Sequence, residues 1–196
     1  MAENIQKAVA LTIDDGPRES TSYILDILEE YGAHATFFVI GNLINDKTAP
    51  LLERMLKIGC EIGNHGMNHN AADDVIEEEF LKGQEIIKKY TGVTPKVFRT
   101  AGLRRSEKIF ETVNIPIIGG NLDCPDWEDS VPLETRVAGI RNHTVDGRIL
   151  LTHDTFPNVE AFKITIPEIV EKGFKILTMS EMFECGKIKY ELGKML

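Results

Sequence analysis

Short runs of β-branched and aromatic residues alternate along the chain with longer stretches that repeat apolar residues at helical spacing. The seven strand-like runs are residues 9–13, 36–40, 60–62, 96–99, 115–118, 149–152 and 174–177. Parallel strands need a crossover segment between them, and a helix usually provides it. The alternation therefore predicts an α/β fold with a parallel sheet, either closed into a barrel or left open.

The helical stretches are residues 21–31, 50–58, 73–90, 107–113, 133–142 and 159–171. A glycine follows each of the first three, at Gly32, Gly59 and Gly92, and glycine readily adopts the left-handed conformation that closes a helix. With 196 residues and 42% hydrophobic content, the chain can build one substantial core and leaves room only for a very small second domain. We therefore expect a single domain over residues 1–196.

Polar side chains follow five of the predicted strands. Asp14 and Asp15 follow the first, His65 follows the third, Arg99 ends the fourth, residues 123–127 follow the fifth and His153 follows the sixth. In parallel α/β folds, the residues that bind ligands lie beyond the carboxyl ends of the strands. We therefore expect these clusters to meet at one mouth of the fold.

Asp14 and Asp15 stand between the apolar run 8–11 and the turn pair Gly16-Pro17. Because side chains alternate along extended backbone, the two carboxylates are expected to point in different directions. One could then bind a metal ion while the other accepts a proton. A solvated turn is the alternative, since Asp, Gly and Pro all favour turns.

His65 and His69 are four residues apart, which places both rings on one face if the segment is helical. Neutral imidazole is the commonest metal ligand among side chains. With one aspartate, the pair would form a two-histidine, one-carboxylate set with open positions for water and substrate. Such a set serves metal-assisted hydrolysis and also iron-dependent oxygenation.

The chain has 22 basic and 31 acidic residues, a net charge of −9, and no basic run that could follow a phosphate backbone. Nucleic acid and anionic membranes are therefore not expected as partners, and no apolar stretch reaches the length of a membrane span. Residues 1–4 lack the features of a signal peptide, so a cytoplasmic location is expected, or secretion if a signal peptide has been removed. Cys60, Cys124 and Cys185 show no paired spacing typical of a disulfide framework.

These motifs resemble those of the polysaccharide deacetylases that share the NodB homology domain, carbohydrate esterase family 4. The segment 12–17, Thr-Ile-Asp-Asp-Gly-Pro, is similar to the first motif of the family. By that resemblance, Asp14 is the catalytic base and Asp15 binds the metal. His65 and His69 resemble the metal-binding histidines of the second motif.

The later motifs of the family are matched in the same order. Arg99 resembles the arginine of the third motif, which orients the base. Asp126 and Trp127 are similar to the end of the fourth motif, in which the aspartate supports the catalytic histidine and the tryptophan lines the groove. Leu151 and His153 resemble the fifth motif, whose histidine is the general acid.

The resemblance covers nearly the whole chain and implies a distorted (β/α) barrel of about seven strands. It also implies an acetylated carbohydrate as substrate and hydrolysis of an N- or O-linked acetyl group by metal-bound water. The implied cofactor is a divalent metal ion, with zinc as the first candidate and cobalt, nickel and iron as alternatives, because His and carboxylate ligands suit several metals. Trp127, Gly102 and Leu151 are the residues expected to contact the substrate.

One position departs from the pattern of the family. Two residues after Arg99 the family usually has a proline, and this chain has Ala101. The loop is therefore expected to be less constrained, which affects where the backbone N–H near Gly102 meets the oxyanion. This departure bears on the choice of substrate more than on the reaction.

Other functions fit parts of the pattern. Phosphatases of the haloacid dehalogenase type have two aspartates after the first strand, but one residue separates them, whereas Asp14 and Asp15 are adjacent. Iron oxygenases usually have an all-β scaffold, which the alternation contradicts. A cysteine nucleophile would pair Cys124 with His153. The alternative of a different class is a non-catalytic, carbohydrate-binding descendant of the deacetylase fold, which turnover of an acetylated sugar would exclude.

Overall fold

Five parallel strands form the centre of the computed structural model, which describes residues 6–196. They are β1 (Ala8–Gly16), β2 (Thr36–Val39), β3 (Glu61–Asn64), β4 (Ile149–His153) and β5 (Lys175–Leu177). Each strand overlaps a run that the sequence predicts as a strand. Residues 1–4, on which the expected location depends, lie outside the described residues.

The strands are arranged in the order β3-β2-β1-β4, and β5 pairs with the beginning of β1. Single-residue parallel bridges continue the sheet from Asn64 to Phe98, from Phe98 to Ile117, and from Asn121 to Leu150 in β4. The sheet thereby closes on itself, and the prediction of a distorted (β/α) barrel is confirmed.

The predicted strands 96–99 and 115–118 are present only as these isolated bridges. Pro116 has no N–H to donate to a strand ladder, and its carbonyl accepts from the N–H of Phe98 over 3.0 Å. The N–H of Ile118 donates to the carbonyl of Phe98 over 2.8 Å. The barrel is therefore irregular on this side, and it has fewer regular strands than the seven predicted.

Seven α-helices connect or follow the strands within the described residues. They are α1 (Ser20–Tyr31), α2 (Ala49–Lys57), α3 (Ile76–Thr91), α4 (Glu107–Thr112), α5 (Leu133–His143), α6 (Phe156–Glu171) and α7 (Met179–Glu184). The first six match predicted helices, and α7 is not among the predictions. Across residues 6–196, no helix combines the length and apolar composition needed to cross a membrane.

Two helices begin three residues away from the predicted position, and side-chain hydrogen bonds explain both; α1 and α2 begin one residue earlier than predicted. α6 begins at Phe156 rather than at residue 159, because the hydroxyl of Thr155 caps it by accepting from the N–H of Asn158 over 3.4 Å. α3 begins at Ile76 rather than at residue 73. Asp73 does not cap it, since its carboxylate accepts from the Ser106 hydroxyl over 2.6 Å.

Side chains alternate across β1 and separate two apolar clusters. Val9 and Leu11 are buried in the large cluster between the sheet and the helices. Ala8 and Ala10 lie on the opposite face of β1 and belong to a smaller cluster. Burial of one large aliphatic or aromatic side chain contributes roughly 1.5–3 kcal/mol. Asp14 lies in the row of Ala8 and Ala10, at the carboxyl end of the strand.

Candidate active site

β1 ends in a bulge that turns two aspartates into the same cavity. Its pairing with β2 shifts register between Asp14 and Gly16, and Asp15 has a φ of +69°. Aspartate tolerates this left-handed conformation better than most residues. The sequence predicts carboxylates that point in different directions, whereas the bulge lets both line one cavity.

Asp14 is held by a buried arginine. The Arg99 guanidinium donates to Oδ1 of Asp14 over 2.7 Å and to the hydroxyl of Thr12 over 2.9 Å. It also donates to two backbone carbonyls, one of them that of Ile118 at 3.0 Å. Burial lowers the pKa of Arg99, and the charge of Asp14 opposes that shift. Oδ1 of Asp14 is therefore occupied, while Oδ2 lies 3.8 Å from Nε2 of His65.

His65 follows β3 with its ring fixed in one orientation. Nδ1 lies 2.7 Å from the backbone carbonyl oxygen of Arg99, so this nitrogen is the donor. Nε2 is then left with its lone pair, 3.5 Å from Oδ1 of Asp15. Arg99 thus positions Asp14 through its side chain and His65 through its backbone.

His69 reaches the same point from a turn. Gly66 and His69 have φ values of +84° and +59°, so the segment between β3 and α3 is not the helix that the spacing suggests. The two rings meet because of this turn, and not because of the helix that the four-residue spacing predicts. The ring centroids of His65 and His69 are 4.9 Å apart, and Nε2 of His69 lies 3.5 Å from Oδ1 of Asp15.

Asp15, His65 and His69 fit a divalent cation. One ligand atom from each lies within 4.8 Å of the others, and this is the one such cluster of three among residues 6–196. Oδ1 of Asp15 is buried without a hydrogen-bond partner, which leaves an acceptor directed at the shared space. Its 3.5 Å separations from both imidazole nitrogens suit ligands about 2.0–2.2 Å from one ion.

The surroundings of Asp15 and His69 favour the protonation states in which these two side chains bind metal. Burial disfavours the ionised form of Asp15, but His65 and the other neighbouring histidines outweigh it and lower the pKa to about 2. Burial and the proximity of His65 lower the pKa of His69. Ionised carboxylates and neutral imidazoles are the forms that coordinate metals.

His153 lies beside Asp14 on the adjacent strand and is paired with buried Asp126. Nδ1 of His153 is 2.6 Å from Oδ1 of Asp126, and its backbone N–H donates to Oδ2 over 3.0 Å. Burial disfavours the imidazolium, but the Asp126 hydrogen bond and the charges of Asp14, Asp126 and Asp15 outweigh it, so the pKa of His153 is raised above 6.5. With Nδ1 engaged, Nε2 is the nitrogen left for the cavity.

Two residues that the sequence analysis does not identify, Asn158 and Arg136, hold Asp126 in place. Nδ2 of Asn158 donates to Oδ2 of Asp126 over 2.6 Å and to the His153 carbonyl over 2.7 Å. Arg136 donates to Oδ1 of Asn158 over 2.9 Å and to the Asp126 carbonyl over 2.5 Å. The arginine thus determines which end of the amide faces Asp126. The only sequence signal is a charged residue on the buried face of α5.

The predicted site residues converge on one cavity of about 420 Å³, an ordinary volume for a small-molecule pocket. Those that line it are Asp14, Asp15, His65, His69, Gly102, Trp127, Leu151 and His153. The other two, Arg99 and Asp126, lie behind it in contact with Asp14 and His153. Trp127 is half exposed, and its ring meets that of His153 edge to face at 5.1 Å. It is a wall of the cavity and not a core residue.

The loop of the third motif also borders the cavity. Gly102 and Leu103 line it with φ values of +60° and +52°. Ala101, in place of the usual proline, begins a short 3-10 helix, and the Thr100 hydroxyl donates to the Arg104 carbonyl over 2.8 Å. The hydrogen bond from the Thr100 side chain therefore restrains the loop, which lacks the conformational restriction that a proline at position 101 would give it.

A cysteine nucleophile is not supported by the geometry. Burial and the nearby Asp126 charge raise the pKa of the Cys124 thiol, which disfavours the reactive thiolate. Nδ1 of His153 is already bonded to Asp126.

Known proteins combine a similar sequence with the same fold. The polysaccharide deacetylase family model matches residues 2–114. A bifunctional xylanase/deacetylase of Pseudobutyrivibrio xylanivorans is 35% identical over 189 residues, covering 91% of this chain and 31% of that protein. A peptidoglycan-N-acetylmuramic acid deacetylase of Bacillus subtilis is 34% identical over 188 residues, covering 93% of this chain and 40% of that protein. The chain thus spans less than half the length of these two relatives.

Structural similarity extends beyond the segment that the family model matches. The solved structure of a family 4 acetyl xylan esterase from Clostridium thermocellum, in complex with a cobalt ion, has a TM-score of 0.89 and 37% identity to this chain. The match covers 96% of this chain and 97% of that one. The cobalt ion in that protein and the Asp15, His65 and His69 cluster here together support a divalent metal site.

Proposed function

Because this chain belongs to the polysaccharide deacetylase family, carbohydrate esterase family 4, we propose that it removes N- or O-linked acetyl groups from a carbohydrate by metal-dependent hydrolysis. One observation carries the proposal. A single cavity holds a cation site, a carboxylate fixed by a buried arginine and a histidine fixed by a buried carboxylate. Metal-assisted hydrolysis of an amide or ester uses such a set, in which the ion activates water, a base accepts its proton and an acid protonates the leaving group.

We assign the ion to Asp15, His65 and His69 and propose zinc, with cobalt, nickel and iron as alternatives that the same donors accept. A divalent ion bound there would lower the pKa of its water towards neutrality and polarise the acetyl carbonyl. The Arg99 carbonyl holds Nδ1 of His65 and so directs Nε2 at the site.

Asp14 is assigned as the general base. Arg99 binds Oδ1, which orients the carboxylate and leaves Oδ2 on the side of His65 to accept the proton of the attacking water. Arg99 itself is a positioning residue, because its donors are directed at Asp14, Thr12 and backbone carbonyls.

His153 is assigned as the general acid. Its raised pKa extends the pH range over which the ring is an imidazolium, and in that form Nε2 would supply a proton to the departing amine or alkoxide. Asp126 stabilises that charge and fixes the ring through Nδ1. The acid and the base lie on paired positions of neighbouring strands, Asp14 opposite His153, so both can reach one scissile bond.

Trp127, Leu151 and Gly102 are assigned to substrate binding. Trp127 and Leu151 provide apolar surface for the acetyl group and the sugar. The Leu103 N–H is already donated to the Thr100 carbonyl over 3.1 Å. The Gly102 N–H is therefore our candidate for stabilising the oxyanion.

Acetate release tests the proposal on a panel of acetylated xylan, chitin oligosaccharides, peptidoglycan and a small acetylated sugar, each with defined zinc, cobalt, nickel or iron. Turnover of at least one substrate is expected, and it should be lost on chelation and restored by added metal. Binding of these glycans without acetate release from any of them would favour the non-catalytic descendant instead.

A further inference from the structure

The turn that carries His69 is held by a buried glutamate. Glu79 lies in the first turn of α3, with 4% of its surface exposed. Its Oε2 accepts from the backbone N–H of Asn68 over 2.7 Å and from that of Asn70 over 3.4 Å. Its Oε1 accepts from Nδ2 of Asn68 over 2.8 Å. The carboxylate therefore holds the chain immediately before and immediately after His69.

His69 depends on its backbone for its position more than His65 does. Nδ1 of His65 is fixed by the Arg99 carbonyl, and in the described part of the chain no backbone group fixes a ring nitrogen of His69 in this way. The His69 side chain is 42% exposed, and its backbone has a φ of +59°. A residue with a side chain is strained in this conformation, which persists only where surrounding contacts impose it.

The close packing of Glu79 against this turn also explains the glycine at position 66. A Cβ at Gly66 would lie 2.9 Å from Oε2 of Glu79, closer than side-chain contacts normally allow. Gly66 also has a φ of +84°, and its N–H donates to Oδ1 of Asn64 over 2.8 Å. The turn is therefore built around the carboxylate.

Stability alone does not explain why position 79 carries a charge. The three hydrogen bonds that Glu79 accepts come from neutral amides. The positive end of α3 favours a carboxylate in the first turn, but burial of a carboxylate without a cationic partner is costly. An apolar side chain would suit the core better, whereas only an acceptor can hold the N–H groups beside His69.

We propose that Glu79 is a positioning residue for the cation site, which holds residues 66–70 so that Nε2 of His69 faces Asp15 and His65 without help from a bound ion. The inference rests on the proposed function for the presence of the ion. It adds that a carboxylate outside the cavity sets one of the three ligands in advance. A ligand that is ordered beforehand raises affinity, because its ordering no longer opposes binding.

The test measures the zinc Kd of each purified protein by competition with a chromogenic chelator. Glu79→Met keeps the length and helix propensity of the side chain and removes both acceptors, so the Kd should rise about 10- to 100-fold. Glu79→Ala is a second variant without an acceptor, and the same direction is expected. Glu79→Gln should stay closer to the wild type than either, because its amide oxygen can still accept from the Asn68 N–H.

A double-mutant cycle tests whether Glu79 acts through His69. In a His69→Ala background, Glu79→Met should change the zinc Kd by less than about twofold, because the ligand that it positions is gone. Hydrogen exchange of the zinc-free proteins gives a readout that does not depend on the ion. The Asn68 N–H should lose protection in Glu79→Met and keep it in Glu79→Gln.

Glu181→Met is the matched control, since Glu181 also accepts from a backbone N–H, that of Thr178 over 2.8 Å, and does not line the cavity. It should leave the zinc Kd unchanged. A Kd within about twofold of the wild type in both Glu79→Met and Glu79→Ala, or an equal rise with and without His69, would overturn the inference. So would a wild-type protein that binds no zinc.

The zinc measurements separate this inference from the proposed function. Zinc binding that weakens in Glu79→Met but not in Glu181→Met supports the role of Glu79, even if no acetate is released from any glycan. Acetate release by the wild type together with an unchanged zinc Kd in the Glu79 variants would leave the deacetylase proposal standing and remove this role.

Discussion

Asn158 and Asp126 are joined by a 2.6 Å hydrogen bond between amide nitrogen and carboxylate oxygen, and that carboxylate also holds His153. Asn158→Ala removes the donor and leaves Asp126 less firmly placed. We expect kcat to fall about 10- to 100-fold, by analogy with the loss of residues that hold metal ligands in place. Metal content and KM should change little, because neither the cation cluster nor the cavity wall contains Asn158.

Steady-state kinetics and elemental analysis check this expectation. Asn142→Ala is the matched control, since it deletes an exposed amide that bonds Asp123 over 3.1 Å. Loss of metal in Asn158→Ala would contradict the assigned role.

Asp14→Asn and Asp15→Asn should separate the base from the ligand. Asp14→Asn is expected to keep the metal and lose about 10²–10⁴ in rate, because an amide cannot accept the proton of water. Asp15→Asn should lose metal affinity first, so that excess metal restores part of the rate. Metal content and acetate release are measured side by side. Metal loss in Asp14→Asn with metal retention in Asp15→Asn would exchange the two roles.

The alkaline limb of kcat/KM against pH should report His153. Its pKa is raised above 6.5, and a group with a raised pKa keeps its proton until the pH passes that raised value. Asp126→Asn removes the negative charge beside the ring, so the limb should move to lower pH. Rate profiles of both proteins across neutral and alkaline pH test this. An unmoved limb would mean that another group titrates there.

The His34–Glu181 pair should make stability depend on pH away from the proposed active site. Nδ1 of His34 lies 2.7 Å from Oε1 of Glu181, and this hydrogen bond raises the pKa of His34. Burial opposes ionisation of Glu181, but His34 and the Thr178 N–H outweigh it and lower its pKa. The His34 contribution is therefore complete below pH 6.5 and lost as the pH rises through the raised pKa. The Glu181 contribution is present above pH 4.5 and lost as the pH falls through its lowered pKa.

His34→Ala should accordingly reduce the free energy of unfolding most at mildly acidic pH, by up to about 1 kcal/mol for a partly exposed pair. Urea denaturation at several pH values measures the effect. The bond from the Thr178 N–H to Glu181 at 2.8 Å is retained in this variant. A loss that is equal at every pH would point to packing of the ring against Gly59 instead of charge.

The positions of Asp14, His65 and His153 could be predicted because one rule covers them. Polar residues that follow parallel strands must meet at one end of the sheet, whatever the details of the loops. Arg99 and Asp126 could be assigned roles only through the family resemblance, because nothing in their spacing shows that they lie behind the cavity.

The contacts of Arg136 and Asn158 could not be predicted in this way. Arg136 on α5 and Asn158 in the first turn of α6 bond the backbone carbonyl and the side chain of Asp126, which lies in a loop. Hydrogen bonds between such distant residues produce no periodic pattern in the sequence. The left-handed backbone conformation of Asp15 could not be predicted from the sequence either, since it arises from a bulge in the pairing of β1 with β2. The helix and strand propensities of single residues predict neither these contacts nor this backbone conformation.

Asp15 and His69 share a φ near +60°, at +69° and +59°. A residue with a side chain holds this conformation at a cost of about 1–2 kcal/mol, and glycine holds it without that cost. A lineage that ceased to need the ion would therefore fold more stably after replacing either residue by glycine. In descendants that have abandoned catalysis, we expect these two positions to change before His65, whose backbone lies outside the left-handed region.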